Sequence, residues 1–264
     1  LRRIGIDEIS YKKRHKYLTI VVDHDSGRLV WAAAGRDKNT LHAFFDALGA
    51  ERAAKITHVS ADGAEWIDSV VAERCPNAVR CMDPFHVVKW ATDALDVVRR
   101  DVWNAERGGK GRATAGSKSL KRARFALWKN PQDLTVGQQA QLAFIAKAHP
   151  LLHRAYLLKE GLRMALKQGA ETATVLWEWV LWARRSRIPA FVELQRSIVR
   201  HWQAITAAAD HGLSNGLIES TNTKIRLITR IAFGFKSPDA LIALAMLHLS
   251  GHRPGLPGRQ LATT

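Results

Sequence analysis

Apolar residues crowd together at the start of the chain and space out into helical patterns further on. Arg3 to Ser10 (RIGIDEIS) and Lys16 to Asp23 (KYLTIVVD) are apolar, β-branched runs joined by the basic tip Tyr11-Lys12-Lys13-Arg14-His15. They predict two paired strands. Asp23-His24-Asp25-Ser26-Gly27 has turn composition, and Arg28 to Ala34 (RLVWAAA) predicts a third strand that completes an antiparallel meander. From Asn39, read as an N-cap, Leu41, Phe44, Phe45 and Leu48 recur at helical spacing until Gly49. A short strand, Ile56 to Ser60, ends at Ala61-Asp62-Gly63, and Ala64 to Arg74 reads as a helix. Ala78 to Met82 reads as a strand ending at Asp83-Pro84. From Phe85, the residues Val87, Val88, Ala91, Leu95 and Val98 mark a long amphipathic helix.

The order βββ-α-β-α-β-α predicts an α/β chain with a mixed sheet covered by helices. It is the element order of the ribonuclease-H-like fold. Residues 107–119 are rich in Gly, Ser and Lys, without periodicity, and read as a basic linker or loop. Residues 120–207 read as helical throughout, broken near Asn130-Pro131, His149-Pro150, Gly169 and Ile188-Pro189. One domain with a large all-α insertion results: 1–98 as the first part of the core, 99–212 as linker and insertion, 213–250 as the C-terminal part, 251–264 as a tail. In that C-terminal part, Ser214 or Asn215 can cap a helix that ends near Gly234-Phe235. Ile218, Thr221, Ile225, Ile228 and Ala232 form its apolar side, with Glu219, Asn222, Thr223, Arg226 and Arg230 assigned to the opposite, Arg-lined side.

Charge sharpens this division. The net charge is +16, yet residues 1–98 carry 14 basic and 14 acidic side chains, so the whole excess lies after residue 98. Such a surface attracts a polyanion, and nucleic acid fits it best. The densest stretch holds Arg99, Arg100, Arg107, Lys110, Arg112, Lys118, Lys121, Arg122 and Arg124, interleaved with Trp103, Phe125 and Trp128. The cations read as phosphate contacts. The aromatics are expected to pack into the helical core, as are Trp177, Trp179 and Trp182, with base stacking as the alternative for those in the basic stretch. Cys75 and Cys81 read as reduced, buried thiols. With no apolar run of about 18 residues and no signal peptide, the chain is expected to be soluble and intracellular, without membrane partners. It begins at Leu1, which reads as a fragment with an upstream domain missing.

Three acids stand where a metal-dependent nucleic-acid enzyme needs them. Asp7 interrupts an apolar strand, where a metal or a salt bridge to Lys12, Lys13, Arg14 or Lys16 must compensate its charge. Asp62 follows a strand C-terminus and reads either as a ligand or as the N-cap of the next helix. Glu219 in a first helical turn suits a ligand or a solvated, dipole-favoured position. Carboxylate oxygens are hard ligands suited to Mg²⁺, and two such ions about 3.5–4 Å apart activate both oxygens of a phosphodiester exchange.

At these residues the chain resembles the DDE transposases of bacterial insertion sequences. The resemblance lies in Ile4-Gly5-Ile6-Asp7-Glu8 and Val59-Ser60-Ala61-Asp62-Gly63, and most clearly in Ser214-Asn215-Gly216 leading to Glu219, then Asn222, Lys224-Ile225, Arg230, Ala232 and Gly234-Phe235. It covers roughly residues 3–250 and is strongest to the branch with an all-helical insertion; Ser220 departs from the family's usual Gly, and the family's N-terminal zinc-binding and helix-turn-helix parts have no counterpart. The resemblance implies Asp7, Asp62 and Glu219 as ligands of two Mg²⁺ ions, or Mn²⁺ in their place. It further implies cleavage of double-stranded DNA at transposon ends followed by strand transfer to target DNA, by a homo-oligomer assembled on DNA in the nucleoid-associated cytoplasm. Asp83-Pro84-Phe85-His86 resembles the family's D-x-x-H signature, which makes Asp83 and His86 supporting residues or DNA contacts, with Asp83 also the rival of Asp62 as second metal ligand. Asn222, Lys224, Arg226 and Arg230 are expected to hold phosphates near the scissile bond. The other readings are a catalytically silent, transposase-derived DNA-binding protein and a nuclease of the same fold that cuts without joining.

Overall fold

The computed structural model of the chain describes residues 1–12, 16–107, 115–213 and 216–251, the side chains of 115–119 and 121 excepted. Two compact units emerge, one made of residues 1–83 with 213–264, the other of residues 84–212.

The first unit begins with the expected meander: β1 (Arg3–Lys12), β2 (Lys16–Asp23) and β3 (Arg28–Ala34). Then come α1 (Lys38–Leu48), a one-turn α2 (Ala50–Ala53), β4 (His58–Ala61), α3 (Glu65–Arg74) and β5 (Val79–Met82). The strands form one five-stranded sheet in the order β3-β2-β1-β4-β5. β1 pairs antiparallel with β2 and parallel with β4, so it lies at the centre of a mixed sheet. The cap of α1 falls on Asp37, whose Oδ1 accepts the Thr40 N–H at 2.8 Å, instead of on Asn39.

The period of two along the strands splits the core in two. Ile4, Ile6 and Val21 enter one cluster with Leu41, Phe44 and Phe45 of α1 and Ile67, Val70 and Val71 of α3. Ile9, Ile20 and Val22 enter the other, with residues of two C-terminal helices. Both sheet faces are thus covered.

The second unit starts with α4 (Pro84–Ala105) and continues through α5 (Ala115–Trp128), α6 (Val136–Ala148), α7 (Pro150–Ala165), α8 (Thr172–Arg185), α9 (Pro189–Arg200) and α10 (Trp202–Asp210). Every expected break recurs, joined by one more at His201 between α9 and α10. α4 packs on α5, α7, α9 and α10. It therefore belongs to the helical unit along its whole length, and the division falls at 83/84 where the sequence suggested 98/99. Its partners, not its own pattern, decide that. Inside this unit Lys159 is almost wholly buried; its ammonium donates to the Leu127 carbonyl at 2.9 Å and pairs with Glu160. Trp179 is buried and donates to the Leu158 carbonyl at 2.8 Å, whereas Trp177 and Trp182 are about half exposed, contrary to their expected place in the core.

The first unit closes with α11 (Gly216–Ile231) and α12 (Pro238–Leu249), which pack on β1 and β3 respectively. The caps expected at Ser214 or Asn215, the tip residues Lys13, Arg14 and His15, and the tail from 252 lie outside the described residues. Among the described residues no helix is long and apolar enough to cross a membrane. Cys75 and Cys81 are buried free thiols, pushed up to about 11 by burial.

Candidate functional site

Along β1, Ile4 and Ile6 face α1 and α3, which turns Gly5, Asp7 and Ile9 toward α11. The half-buried Asp7 carboxylate accepts the Glu8 N–H at Oδ1 (2.7 Å) and the Asn222 side-chain amide at Oδ2 (2.8 Å). Asn222 is only 4% exposed, and its Oδ1 has no hydrogen-bond partner among the described residues.

A second anchor lies at Gly5, where a Cβ would overlap the Ile218 side chain and come within 2.9 Å of His24 Nε2. Only a glycine lets α11 approach the strand this closely. The contacts Gly5–Ile218 and Asp7–Asn222 span two strand residues, roughly 6.6 Å, and four helical residues, roughly 6 Å. The match means that α11 runs along β1 in the same direction. Glu219, the residue after Ile218 and one turn before Asn222, lies level with the Gly5-to-Asp7 stretch on the exposed flank of the helix.

Asp62 arrives from the other side. Gly5 pairs with Ser60 in the parallel β1–β4 ladder. Asp62 follows directly on β4, which ends at Ala61 and is the neighbour of the strand that carries Asp7. Asp62 Oδ1 accepts the Ala64 N–H at 3.1 Å, a bond that tightens the loop; α3 itself starts at Glu65 without a side-chain cap. Behind the loop, the Arg80 guanidinium binds the Asp62 carbonyl, the Ala61 carbonyl (3.2 Å) and Asp68 (2.7 Å). Asp83 is buried at the end of β5, one strand further from β1 than Asp62 is. His86 stands in the first turn of α4, in the helical unit, its ring 6.1 Å from that of Phe85.

A fourth carboxylate, Glu8, is 7% exposed and meets Arg36 Nε at 2.9 Å. Burial, and then the charge of Asp62, raises its pKa above the usual carboxylate range. Sequence reasoning missed Glu8, Arg36 and Arg80; an acid beside Asp7 in an apolar strand was the available signal for the first. Among the described residues no three Asp, Glu, His or Cys side chains are gathered closely enough to hold a metal ion. Asp7 lies on β1, Asp62 just past the neighbouring β4, and α11 packs on β1 with Glu219 on its exposed flank.

The expected phosphate contacts divide. Arg100, Arg122, Arg124, Lys224, Arg226 and Arg230 are exposed. So is Arg107, over the Trp103 ring at 4.7 Å. Arg124 stacks on Phe125 at 4.6 Å, and Phe125 and Trp128 are about half exposed instead of packed. Two expectations are overturned. Arg99 is buried, four residues on from Leu95 along the packed face of α4, and is held by Asp96 at 2.7 Å. Asn222 is also buried, four residues on from Ile218, and its amide is spent on Asp7. Lys110 and Arg112, and the side chains of Lys118 and Lys121, lie outside the described residues.

A family model described as transposase, of the ISL3 DDE type, matches residues 4–245. The chain belongs to this transposase family. It is 65% identical over 277 residues to the transposase for insertion sequence element IS1557 of Mycobacterium tuberculosis, an alignment covering 98% of this chain and 62% of that relative. It is 28% identical over 239 residues to the transposase for insertion sequence element IS1001 of Bordetella parapertussis, covering 89% of this chain and 58% of that protein. The chain thus spans about three-fifths of the length of these transposases.

Proposed function

We propose that this chain is the catalytic part of a DDE transposase with a ribonuclease-H-like core, cutting double-stranded DNA at the ends of its element and joining the freed 3′-hydroxyl to target DNA. Asp7, Asp62 and Glu219 would hold the divalent cations, Mg²⁺ or Mn²⁺. The donor set suits them: carboxylate oxygens are hard ligands, and the buried Oδ1 of Asn222, without a hydrogen-bond partner among the described residues, adds another oxygen beside Asp7. When bound, the ions lower the pKa of the attacking water or 3′-hydroxyl and stabilise the departing oxygen.

The chain's own residues do the rest. Asn222 holds Asp7 in one orientation from a helix aligned with β1, and Arg80 fixes the backbone that carries Asp62. Lys224, Arg226 and Arg230 offer cations for backbone phosphates along the exposed side of α11. Asp83 and His86 support the site or the DNA, and the oligomer forms on the DNA ends. The observation that carries the reading is the Asn222–Asp7 hydrogen bond, which ties the helix bearing Glu219 to the strand bearing the first acid.

The test is a nicking and joining assay on supercoiled and end-bearing DNA with and without Mg²⁺. Mg²⁺-dependent nicked and joined products, lost in Asp7→Asn, Asp62→Asn and Glu219→Gln with DNA binding retained, support the proposal. Cutting without joining would make the protein a nuclease, and metal-independent binding without cutting would make it a silent DNA-binding protein.

A further inference from the structure

The helical unit holds a cavity of about 590 Å³ that the chemistry above does not use. Its walls come from three helix ends: Phe85 and Lys89 of α4, Trp128 with Lys129 at the end of α5, and Arg163 with Lys167 around the end of α7. That size suits a small-molecule-sized group, and the lining combines two features seldom found together by chance. Phe85 and Trp128 are 59% and 44% exposed, Phe85 with its ring 6.1 Å from that of His86 and Trp128 with the Arg124 guanidinium 5.8 Å from its centroid. Around them stand four cations, against Asp133 as the acid among the described lining residues. Lys89 is paired with Asp93 at 2.7 Å on the outer surface and Arg163 with Glu160 at 2.7 Å in the interior, while Lys167 is exposed at the rim.

Lys129 donates to the Gln138 side-chain oxygen at 3.3 Å and, like Lys167, has no carboxylate partner among the described residues. Exposed aromatic rings beside such ammonium groups match one chemistry, a nucleotide: the base stacks on an aromatic ring while its phosphates meet the lysines. A paired base within a duplex offers no free face to such a pocket; an unpaired one does. We infer that this cavity receives an unpaired nucleotide of the DNA substrate, with Trp128 and Phe85 as its stacking surfaces and Lys129 and Lys167 as its phosphate contacts. The inference rests on the DNA-processing reading given above, but not on the three acids.

The experiment compares the full chain's affinity for two DNAs by fluorescence anisotropy at fixed salt: a fully paired duplex, and the same duplex with one unpaired 2-aminopurine. Free nucleoside mono- and triphosphate serve as competitors. The expected result is tighter binding of the unpaired form, with quenching of the 2-aminopurine. In Trp128→Ala the preference drops about tenfold, as loss of one base-stacking ring does, whereas Trp128→Phe keeps most of it. Lys167→Ala weakens the same preference. Unchanged affinity for the paired duplex shows that each variant is folded. Equal binding of both DNAs by the parent chain overturns the inference, as does a preference that survives Trp128→Ala combined with Phe85→Ala. Binding of free nucleotide without preference for the unpaired DNA also overturns it. Failure to bind either DNA would instead refute the DNA-processing reading.

Discussion

The Asn222–Asp7 bond yields a quantitative prediction. Asp7 is a half-buried anion that accepts, among the described residues, from the Glu8 N–H at 2.7 Å and the Asn222 amide at 2.8 Å. A hydrogen bond to a charged group is worth about 1.5–3 kcal/mol, and partial exposure of the carboxylate argues for the low end. Asn222→Ala removes that bond, but it also removes the buried Oδ1, which has no hydrogen-bond partner among the described residues and whose desolvation costs about 1–3 kcal/mol in the parent chain. The two effects oppose each other. The single variant should therefore lose only about 1 kcal/mol, while the coupling in a double-mutant cycle with Asp7→Ala should reach about 1–2 kcal/mol, as expected for directly bonded residues. Because the chain has two units and need not unfold in one step, the readout is the opening free energy of β1 amides from native-state hydrogen exchange, in buffer free of divalent cations. Effects of the two substitutions that add to within about 0.3–0.5 kcal/mol would refute the bond as the tie between α11 and β1. A second consequence separates the tie from general stability. Asn222→Ala should lower Mn²⁺ affinity more than Ile225→Ala does, although the latter removes more buried apolar surface of the same helix.

Three further outcomes follow from packing and charge. Gly5→Ala should destabilise the first unit by about 1–3 kcal/mol through overpacking against Ile218 and His24, and Ile218→Ala should recover part of the loss, measured by urea unfolding. Glu8 binds its proton more tightly in the folded chain than in the unfolded one. Its contribution therefore favours folding below the ordinary value of 4.5 and declines as pH rises through the raised folded value. Glu8→Gln should accordingly raise Tm at pH 7, with the gain vanishing below about pH 4.5; a loss of Tm at pH 7 would show that the Arg36 pair outweighs burial. Lys159→Ala should cost about 1–3 kcal/mol in the helical unit, because it takes the donor from the Leu127 carbonyl and leaves buried Glu160 with Arg163 as its remaining cation. Circular dichroism during thermal unfolding checks it.

The strands, their order along the chain and the helical breaks were legible because local signals agree with the fold. Alternation by two marks β1 and β2, and Pro131, Pro150 and Pro189 sit where helical segments end or begin. α12 was not legible, since its segment Pro-Asp-Ala-Leu-Ile-Ala-Leu-Ala-Met-Leu-His-Leu is apolar nearly all round and carries no stripe of period 3.6. The 83/84 division was hidden for another reason: the pattern of α4 says which of its faces is buried, not which neighbours bury it. At the site, Asp7 and Asp62 stood out as acids inside or just past apolar strands, whereas Glu219 drew notice through the resemblance of its whole segment.

The two misplaced polar residues share one cause. Asn222 and Arg99 were assigned to solvent by polarity, yet each stands four residues after a buried apolar side chain, Ile218 and Leu95, and spacing alone puts both on the packed face. A polar group on such a face is stable only with a partner. For Arg99 that partner, Asp96, lies within the same helix and was open to inspection. For Asn222 it is Asp7, 215 positions away, so the pairing becomes visible only once the sheet and α11 have met. A buried polar residue on a helix whose partner is not local therefore points to a long-range contact. In this chain that contact joins the helix of the third acid to the strand of the first, which makes the most misread residue of α11 the one most informative about the site.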